Sequence, residues 1–502
     1  MTGEKVLNRH RKRSLDLCKG PLLSGILRYT VPIILSGLLQ NLFNAADLVV
    51  VGRFCGSISV AAVGATSSLA NLIITLFIGL SVGVGVTTAQ GLGAQDDNIV
   101  RRTVHTAIPA ACISGLLLTA VGVFCAKPLL TWMSTPDDVL PLSTLYMQLF
   151  FCGMVANMVY NFGSAILRAA GETKQPLYYL TIAGVLNVLL NVFFVAVLHL
   201  DVAGVALATA TSQFVSAILV LIALMRRKDA CRLTLKQMRI DLRILKRILR
   251  IGLPAGLQGV SFGLSNVLIQ SSVNSFGSAV VSGNAAAGNI EGFACIAMNS
   301  FHQTALNYTG QNVGAKQYDR VKKIAAICLM SVGIAGLVLG AGIYLLARPL
   351  LSLYITDSEQ ALYYGTLRMA YIGLPYFLCG LMDVITGVIR GMGTSFVPML
   401  ITLIGVCGMR VGWIYTVFQI PQYHTLQGLF ISYPISWAIT FLAQLLLFVL
   451  VYRKRKRLAC GGFSQRPATH KKLAKLAKRG EKNGRFFKIL NKFAKQDNNC
   501  LL

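Results

Sequence analysis

Gln40, Asn44 and Asp47 fall at i, i+4 and i+7 within an otherwise apolar run, which places them on one face of a helix. Ionisable side chains are costly inside hydrocarbon, so an acid there is a functional candidate by default. One reading makes Asp47 a carboxylate that binds a proton or a cation. The other makes it a structural acid satisfied by neighbouring hydroxyls and amides. The polar stripe must face a cavity or another helix rather than lipid, and the first reading is preferred because acids within membrane spans usually mark ion or substrate pathways. Asn187 and Asn191, and Asn157 and Asn161, also stack four residues apart. Amide pairs of this kind commonly hold transmembrane helices together at modest energy; these gain interest from sharing the first half of the chain with Asp47. In the second half the matching candidates are Glu291, Asp383 and Arg410. Either the charges neutralise one another, or Glu291 or Asp383 coordinates an ion or draws in a cationic solute. His302 reads as a neutral, hydrogen-bonded helix residue. Arg168 and Arg390 read as structural cations that end their helices, where the C-terminal dipole favours positive charge.

The elements that carry these groups are membrane helices. The chain has 502 residues, 55% hydrophobic and only 13% charged, with a mean hydropathy of +0.63. Soluble proteins carry about 25% charged residues. Apolar stretches of roughly 20 residues, the length that crosses the hydrocarbon as a helix, recur near 28–52, 60–86, 103–125, 140–166, 177–198, 202–225, 250–273, 279–306, 324–346, 361–388, 397–419 and 427–452. Pro32 and Pro254 near the starts of spans 1 and 7 suit early helix positions. Six spans fall in each of two repeats. Ile26-Leu-Arg28 with Pro32 returns as Ile248-Leu-Arg250 with Pro254, and Gln90-Gly-Leu-Gly-Ala94 returns as Gln311-Asn-Val-Gly-Ala315. Ala126-Lys-Pro-Leu-Leu130 returns as Ala347-Arg-Pro-Leu-Leu351, and Arg168, Gly171 and Pro176 return as Arg390, Gly393 and Pro398. The expected architecture is therefore an all-α polytopic membrane protein, with twelve transmembrane helices in two pseudo-symmetric six-helix lobes. A basic arm (1–25) precedes the first lobe (26–226), a basic linker (227–247) joins it to the second (248–452), and a polybasic tail (453–502) follows.

Lys and Arg concentrate in alternate connections, while the opposite connections hold only Arg53, Lys127, Arg348 and Arg368. Basic loops stay cytoplasmic, which predicts both termini inside. The polar first 20 residues and the full-length first span argue against a cleaved signal peptide. The scattered cysteines include no CxxC pair and read as small buried residues. Much of the net charge of +29 lies in the tail, where 16 Lys and Arg face only Glu481 and Asp497. This points to anionic lipid rather than nucleic acid. Phe486, Leu490 and Phe493 there read as a basic amphipathic helix, or else the tail merely reinforces topology.

No phosphate-cradling Gly-x-x-x-x-Gly-Lys-Ser/Thr, no His-Glu-x-x-His and no Gly-x-Ser-x-Gly occurs. The chain therefore reads as no enzyme and as needing no cofactor. Uphill transport by a chain with a full pair of halves calls for an ion gradient more simply than for an ATPase subunit.

The run Pro32…Gln40-Asn-Leu-Phe-Asn44…Asp47…Val51-Gly-Arg53, then Ala61-Ala-Val-Gly64, resembles the multidrug and toxic compound extrusion (MATE) family. So do Ala89-Gln-Gly-Leu-Gly-Ala94, Leu167-Arg-Ala-Ala-Gly171 and Gly310-Gln-Asn-Val-Gly-Ala315, and the likeness covers about residues 20–455. The resemblance implies an exporter of the bacterial cytoplasmic membrane, exchanging cationic or amphipathic drugs for H⁺ or Na⁺. In proton-type relatives a first-helix Asp works with an Asn and an acid four residues apart on helix 5 and a Thr on helix 6. Asp47, Asn187 and Thr209 match the Asp, Asn and Thr, but Asn191 stands where the second acid is expected. Sodium-type relatives carry a Glu in helix 7, and span 7 has none; Glu291 in span 8 resembles the acid of another bacterial branch. A flippase for lipid-linked precursors, from the same superfamily, is the alternative; its cavity is expected to be more strongly charged.

Overall fold

The computed structural model describes residues 16–133, 135–355 and 358–460, and it is helical throughout, with no strand among the described residues. The described residues up to Val451 form one compact unit. Six helices make the first lobe: α1 (Leu22–Phe54), α2 (Ser57–Gly93), α3 (Asp97–Trp132), α4 (Leu140–Cys152 with Met154–Ala169), α5 (Lys174–Val197) and α6 (Asp201–Met225). Six more make the second: α7 (Leu242–Asn274), α8 (Ser278–Gly314), α9 (Tyr318–Leu345), α10 (Glu359–Gly373 with Tyr376–Gly391), α11 (Phe396–Gln419) and α12 (Ser432–Cys460). The proposed amphipathic helix around Phe486 lies outside the described residues.

All twelve expected spans are present as helices. Eight are each long and apolar enough to cross a membrane alone, and the two bent pairs bring the number to ten. The other two are α7 and α8. The first turns of α7 carry Arg243, Lys246, Arg247 and Arg250, and α8 carries Asn284, Glu291, Asn299, His302 and Gln303. These two helices pack against α1 and α2 of the other lobe, so much of their polar surface faces protein instead of lipid.

The internal repeat extends to the backbone. Gly56 and Gly277 open α2 and α8 with φ of 87° and 97°. Gln95 and Lys316 follow those helices at 55° and 59°, and Gly171 and Gly393 follow α4 and α10 at 84° and 85°. Both α4 and α10 bend, by 45° and 40°. Pro32 and Pro254 are interior rather than early residues, because α1 begins at Leu22 and α7 at Leu242. Each therefore withholds an N–H from the carbonyl four residues before it, Arg28 and Arg250.

The lobes join at the end of the bundle that bears the linker. There α2 and α8 cross almost backbone to backbone: a Cβ on Gly93 would lie 1.8 Å from the Gln311 carbonyl oxygen, and one on Gly314 2.1 Å from that of Gln90. Only glycine permits that approach. The side chains of the same two glutamines are exchanged as well. Gln90 donates to the Gly391 carbonyl at the end of α10 (2.8 Å), and Gln311 donates to the Ala169 carbonyl at the end of α4 (2.7 Å). These four residues are repeat equivalents, so the clasp is reciprocal, each lobe satisfying an orphan C-terminal carbonyl of the other. Further in, Thr30 and Thr304 share a hydrogen bond of 2.8 Å, and Tyr29 meets Tyr308 edge-on at 5.5 Å.

Candidate functional site

A cavity of about 320 Å³ opens inside the first lobe and is bounded on one side by α8. Helix α1 contributes Gln40, Asn44 and Asp47 to its wall, as their shared face requires. Asn187 from α5, Thr209 from α6 and the pair Asn157 and Asn161 from α4 complete that wall, opposite Asn299 and Gln303 of α8. The bend of α4 at Gly153 lies just before Asn157 and Asn161.

Asp47 is held by neutral donors. Asn191 donates its amide to one carboxylate oxygen, and the Thr209 hydroxyl donates to the other at 3.4 Å. Asn187 in turn donates to Thr209 (3.3 Å), and Asn191 donates to the Asn187 side-chain oxygen (3.4 Å). Asn187 and Asn191 are buried on the same face of α5, one turn apart. Among the described residues no Lys or Arg forms an ion pair with Asp47. The expected meeting of Asp47, Asn187 and Thr209 is therefore present, with Asn191 in the innermost contact. Asn157 and Asn161 are not simply glue between helices. Asn161 bonds back to the Asn157 carbonyl and side chain, both at 2.9 Å, and both residues face the cavity.

Among the described residues, the second lobe holds its acid Glu291 differently. Glu291 is gripped by Arg368 on both oxygens, at 3.0 and 2.7 Å. The same guanidinium donates to Asn284 at 2.5 Å, and Asn284 donates to Gln270 at 2.8 Å. Arg368 thus belongs to the interior of α10, not to a connection as its charge alone suggested, and it replaces Arg410 as the counter-ion of Glu291. Arg410 instead donates to Ser436 (3.0 Å) and stacks over Tyr433, 3.9 Å from the ring centre. Asp383 meets His302 through its backbone carbonyl, which accepts from the imidazole Nδ1 at 2.6 Å, so His302 is the hydrogen-bonded residue expected. Among the described residues, no hydrogen bond or ion pair joins Glu291, Asp383 and Arg410 into one site. Arg390 is buried and donates to Gln258 at 2.7 Å, linking α10 to α7. Sequence reasoning placed Arg368 in a connection and so missed it as the counter-ion of Glu291. Its position twenty-odd residues before Arg390 in an otherwise apolar span was the available signal.

Two repeated six-helix halves of the same orientation, around a polar cavity in an apolar helical bundle, define a membrane transporter. The MatE family model matches this chain twice, over residues 32–193 and 254–416, one match in each lobe. The chain belongs to the MatE family, whose members are transporters and not enzymes. It is 27% identical over 438 residues to the probable multidrug resistance protein YoeA of Bacillus subtilis (strain 168), covering 85% of this chain and 94% of that one. It is 20% identical over 404 residues to the multidrug export protein MepA of Staphylococcus aureus (strain NCTC 8325 / PS 47), covering 78% of this chain and 89% of that one. Among solved structures its fold matches one described as the outward-facing conformation of a multidrug resistance MATE family transporter of the MOP superfamily. That match has a TM-score of 0.82 at 23% identity, over 88% of this chain and 98% of the other.

Proposed function

We propose that this protein exports cationic or amphipathic compounds across a bacterial cytoplasmic membrane, in exchange for H⁺ or Na⁺ bound at Asp47. The observation that carries this reading is Asp47 itself: a carboxylate in the wall of a cavity, satisfied by Asn191 and Thr209 and by no cation. Its charged form attracts a cationic solute. When H⁺ or Na⁺ binds, the attraction is lost and the solute leaves. Moving one charge down the membrane potential supplies about 2.3 kcal/mol per 100 mV, or roughly a fifty-fold solute gradient per ion. Glu291 does not suit this task, because neutralising it strands Arg368 in a buried site.

With the basic connections in the cytoplasm, both termini and the linker lie inside. The Gln90–Gln311 clasp then closes the cytoplasmic end. Among the described residues, the hydrogen bonds that join the lobes all lie on the linker side of Gly37 and Ile296. This supports an outward-facing state.

Ethidium flux into proteoliposomes tests the reading, with a pH gradient, a Na⁺ gradient or neither imposed. Flux should follow one of the two gradients and vanish in Asp47→Asn. Equal flux under all three conditions contradicts it.

A further inference from the structure

The cavity holds a second charged group, of the opposite sign and at the opposite end. Arg168 ends α4, and its side chain reaches the cavity wall. Its backbone carbonyl accepts from the Tyr29 hydroxyl at 2.6 Å, which fixes this end of α4 beside the inter-lobe seam near the linker. The guanidinium itself is unemployed. Its Nε is buried with no hydrogen-bond partner, and among the described residues no carboxylate forms an ion pair with it. Contrast Arg368, bidentate on Glu291, and Arg390, donating to Gln258. A cation needed only to cap a helix has no reason to face a cavity without a partner.

Asp47 cannot serve as that partner. The cavity follows α1 from Ile33 to Asp47, fourteen residues, or about 21 Å of helix at 1.5 Å per residue. Arg168 lies at the Ile33 end, because it is tethered to Tyr29 one turn below. The wall between the two charges is uncharged and rich in side-chain amides, among them Gln40, Asn44, Asn157, Asn161 and Gln303. Such amides hydrogen-bond an elongated polar solute without favouring either sign. The electrostatic field along the cavity therefore orients a solute, with anionic groups toward the linker end and cationic groups toward Asp47.

We propose that Arg168 is an anion-recognising specificity residue: the cavity takes amphipathic substrates that bear a carboxylate, which the guanidinium receives at the closed end. A planar guanidinium matches a carboxylate bidentately, and such charge-assisted bonds are among the strongest available to a ligand. The inference rests on the cavity being the transport site, as proposed above.

Two dyes that differ by one methyl group test it. Rhodamine 110 carries a free carboxylate beside its cationic ring system, and rhodamine 123 is its methyl ester. Efflux of each is measured in energised cells or proteoliposomes for the wild type, Arg168→Gln, Arg168→Lys and Asp47→Asn. The rhodamine 110 to rhodamine 123 rate ratio should fall about tenfold or more in Arg168→Gln, as expected for loss of one charge-assisted hydrogen bond. In Arg168→Lys it should fall less. A ratio within about twofold of the wild type in Arg168→Gln overturns the proposal, as does a wild type that does not move rhodamine 110. If neither Arg168 variant accumulates, binding to purified wild-type protein decides: the free acid should bind tighter than the ester, and equal or weaker binding overturns the proposal. Asp47→Asn keeps the two readings apart. If it exports both dyes at the wild-type rate, the coupling reading fails. If it stops both while Arg168→Gln leaves the ratio intact, only the anion site fails.

Discussion

In the first lobe Asp47 lines a cavity and accepts hydrogen bonds from Asn191 and Thr209, neither of them charged. In the second, Glu291 is bound on both oxygens by Arg368, which also engages Asn284. The two lobes share helix order, paired bends and matching left-handed caps at Gly171 and Gly393. Duplicated backbones have thus been given opposite electrostatic designs. A carboxylate held by neutral donors can gain or lose a proton or cation without stranding a partner. One held by a buried guanidinium cannot, because the partner keeps its charge and its desolvation cost. On the proposed reading, Asp47 of the first lobe alternates in charge while the Glu291–Arg368 pair of the second stays fixed.

The largest effect should come from breaking the fixed pair. Arg368→Ala leaves Glu291 buried without its counter-ion and is expected to destabilise by about 3–5 kcal/mol. Asp47→Asn keeps its hydrogen-bonded neighbours and should lie within about 1 kcal/mol of the wild type. Thermal unfolding in detergent compares them; equal losses erase the distinction between the lobes. The double variant Arg368→Gln with Glu291→Gln should recover most of the stability lost by Arg368→Ala.

The crossing of α2 and α8 comes next. Gly93→Ala and Gly314→Ala each push a methyl group into a facing carbonyl, and overpacking of this kind costs about 1–3 kcal/mol. The cost falls on the closed linker end, so a Ser300→Cys reporter in the cavity wall should react faster with maleimide from the linker side. Because the crossing is reciprocal, the two variants should act alike. A strong effect from one and none from the other breaks the symmetry argument.

The smallest effect is expected from the glutamine clasp. Gln90→Ala and Gln311→Ala each remove a hydrogen bond to a terminal carbonyl, worth about 1 kcal/mol. The same maleimide assay should show a modest rise for each and a larger one for the pair.

Much of this was legible before any coordinates. Helical spacing put Gln40, Asn44 and Asp47 on one face, and the repeat of 221 or 222 residues paired the landmarks that became the caps and the clasp. Polar residues in an apolar run are conspicuous, so Asn187 and Asn191 stood out, whereas Thr209 was pointed to only by the family resemblance. The job of Gln90 and Gln311 was not legible, because a glutamine capping another lobe's helix leaves no local pattern. Arg368 was misplaced because a lone cation near a span end resembles a loop charge. Its meaning depends on Glu291, 77 residues away in the chain. Sequence periodicity did not report the break at Gly153 or the interior positions of Pro32 and Pro254, whereas the break in α10 falls at Pro375.

The most direct measurement compares ethidium efflux in energised vesicles for Asp47→Asn and Glu291→Gln, each normalised to folded transporter in the membrane. Asp47→Asn should be present at wild-type levels and pump nothing above the leak. Glu291→Gln should retain gradient-driven efflux in proportion to the protein that folds. Wild-type pumping by Asp47→Asn together with a folded but inactive Glu291→Gln would place coupling in the second lobe and contradict the account.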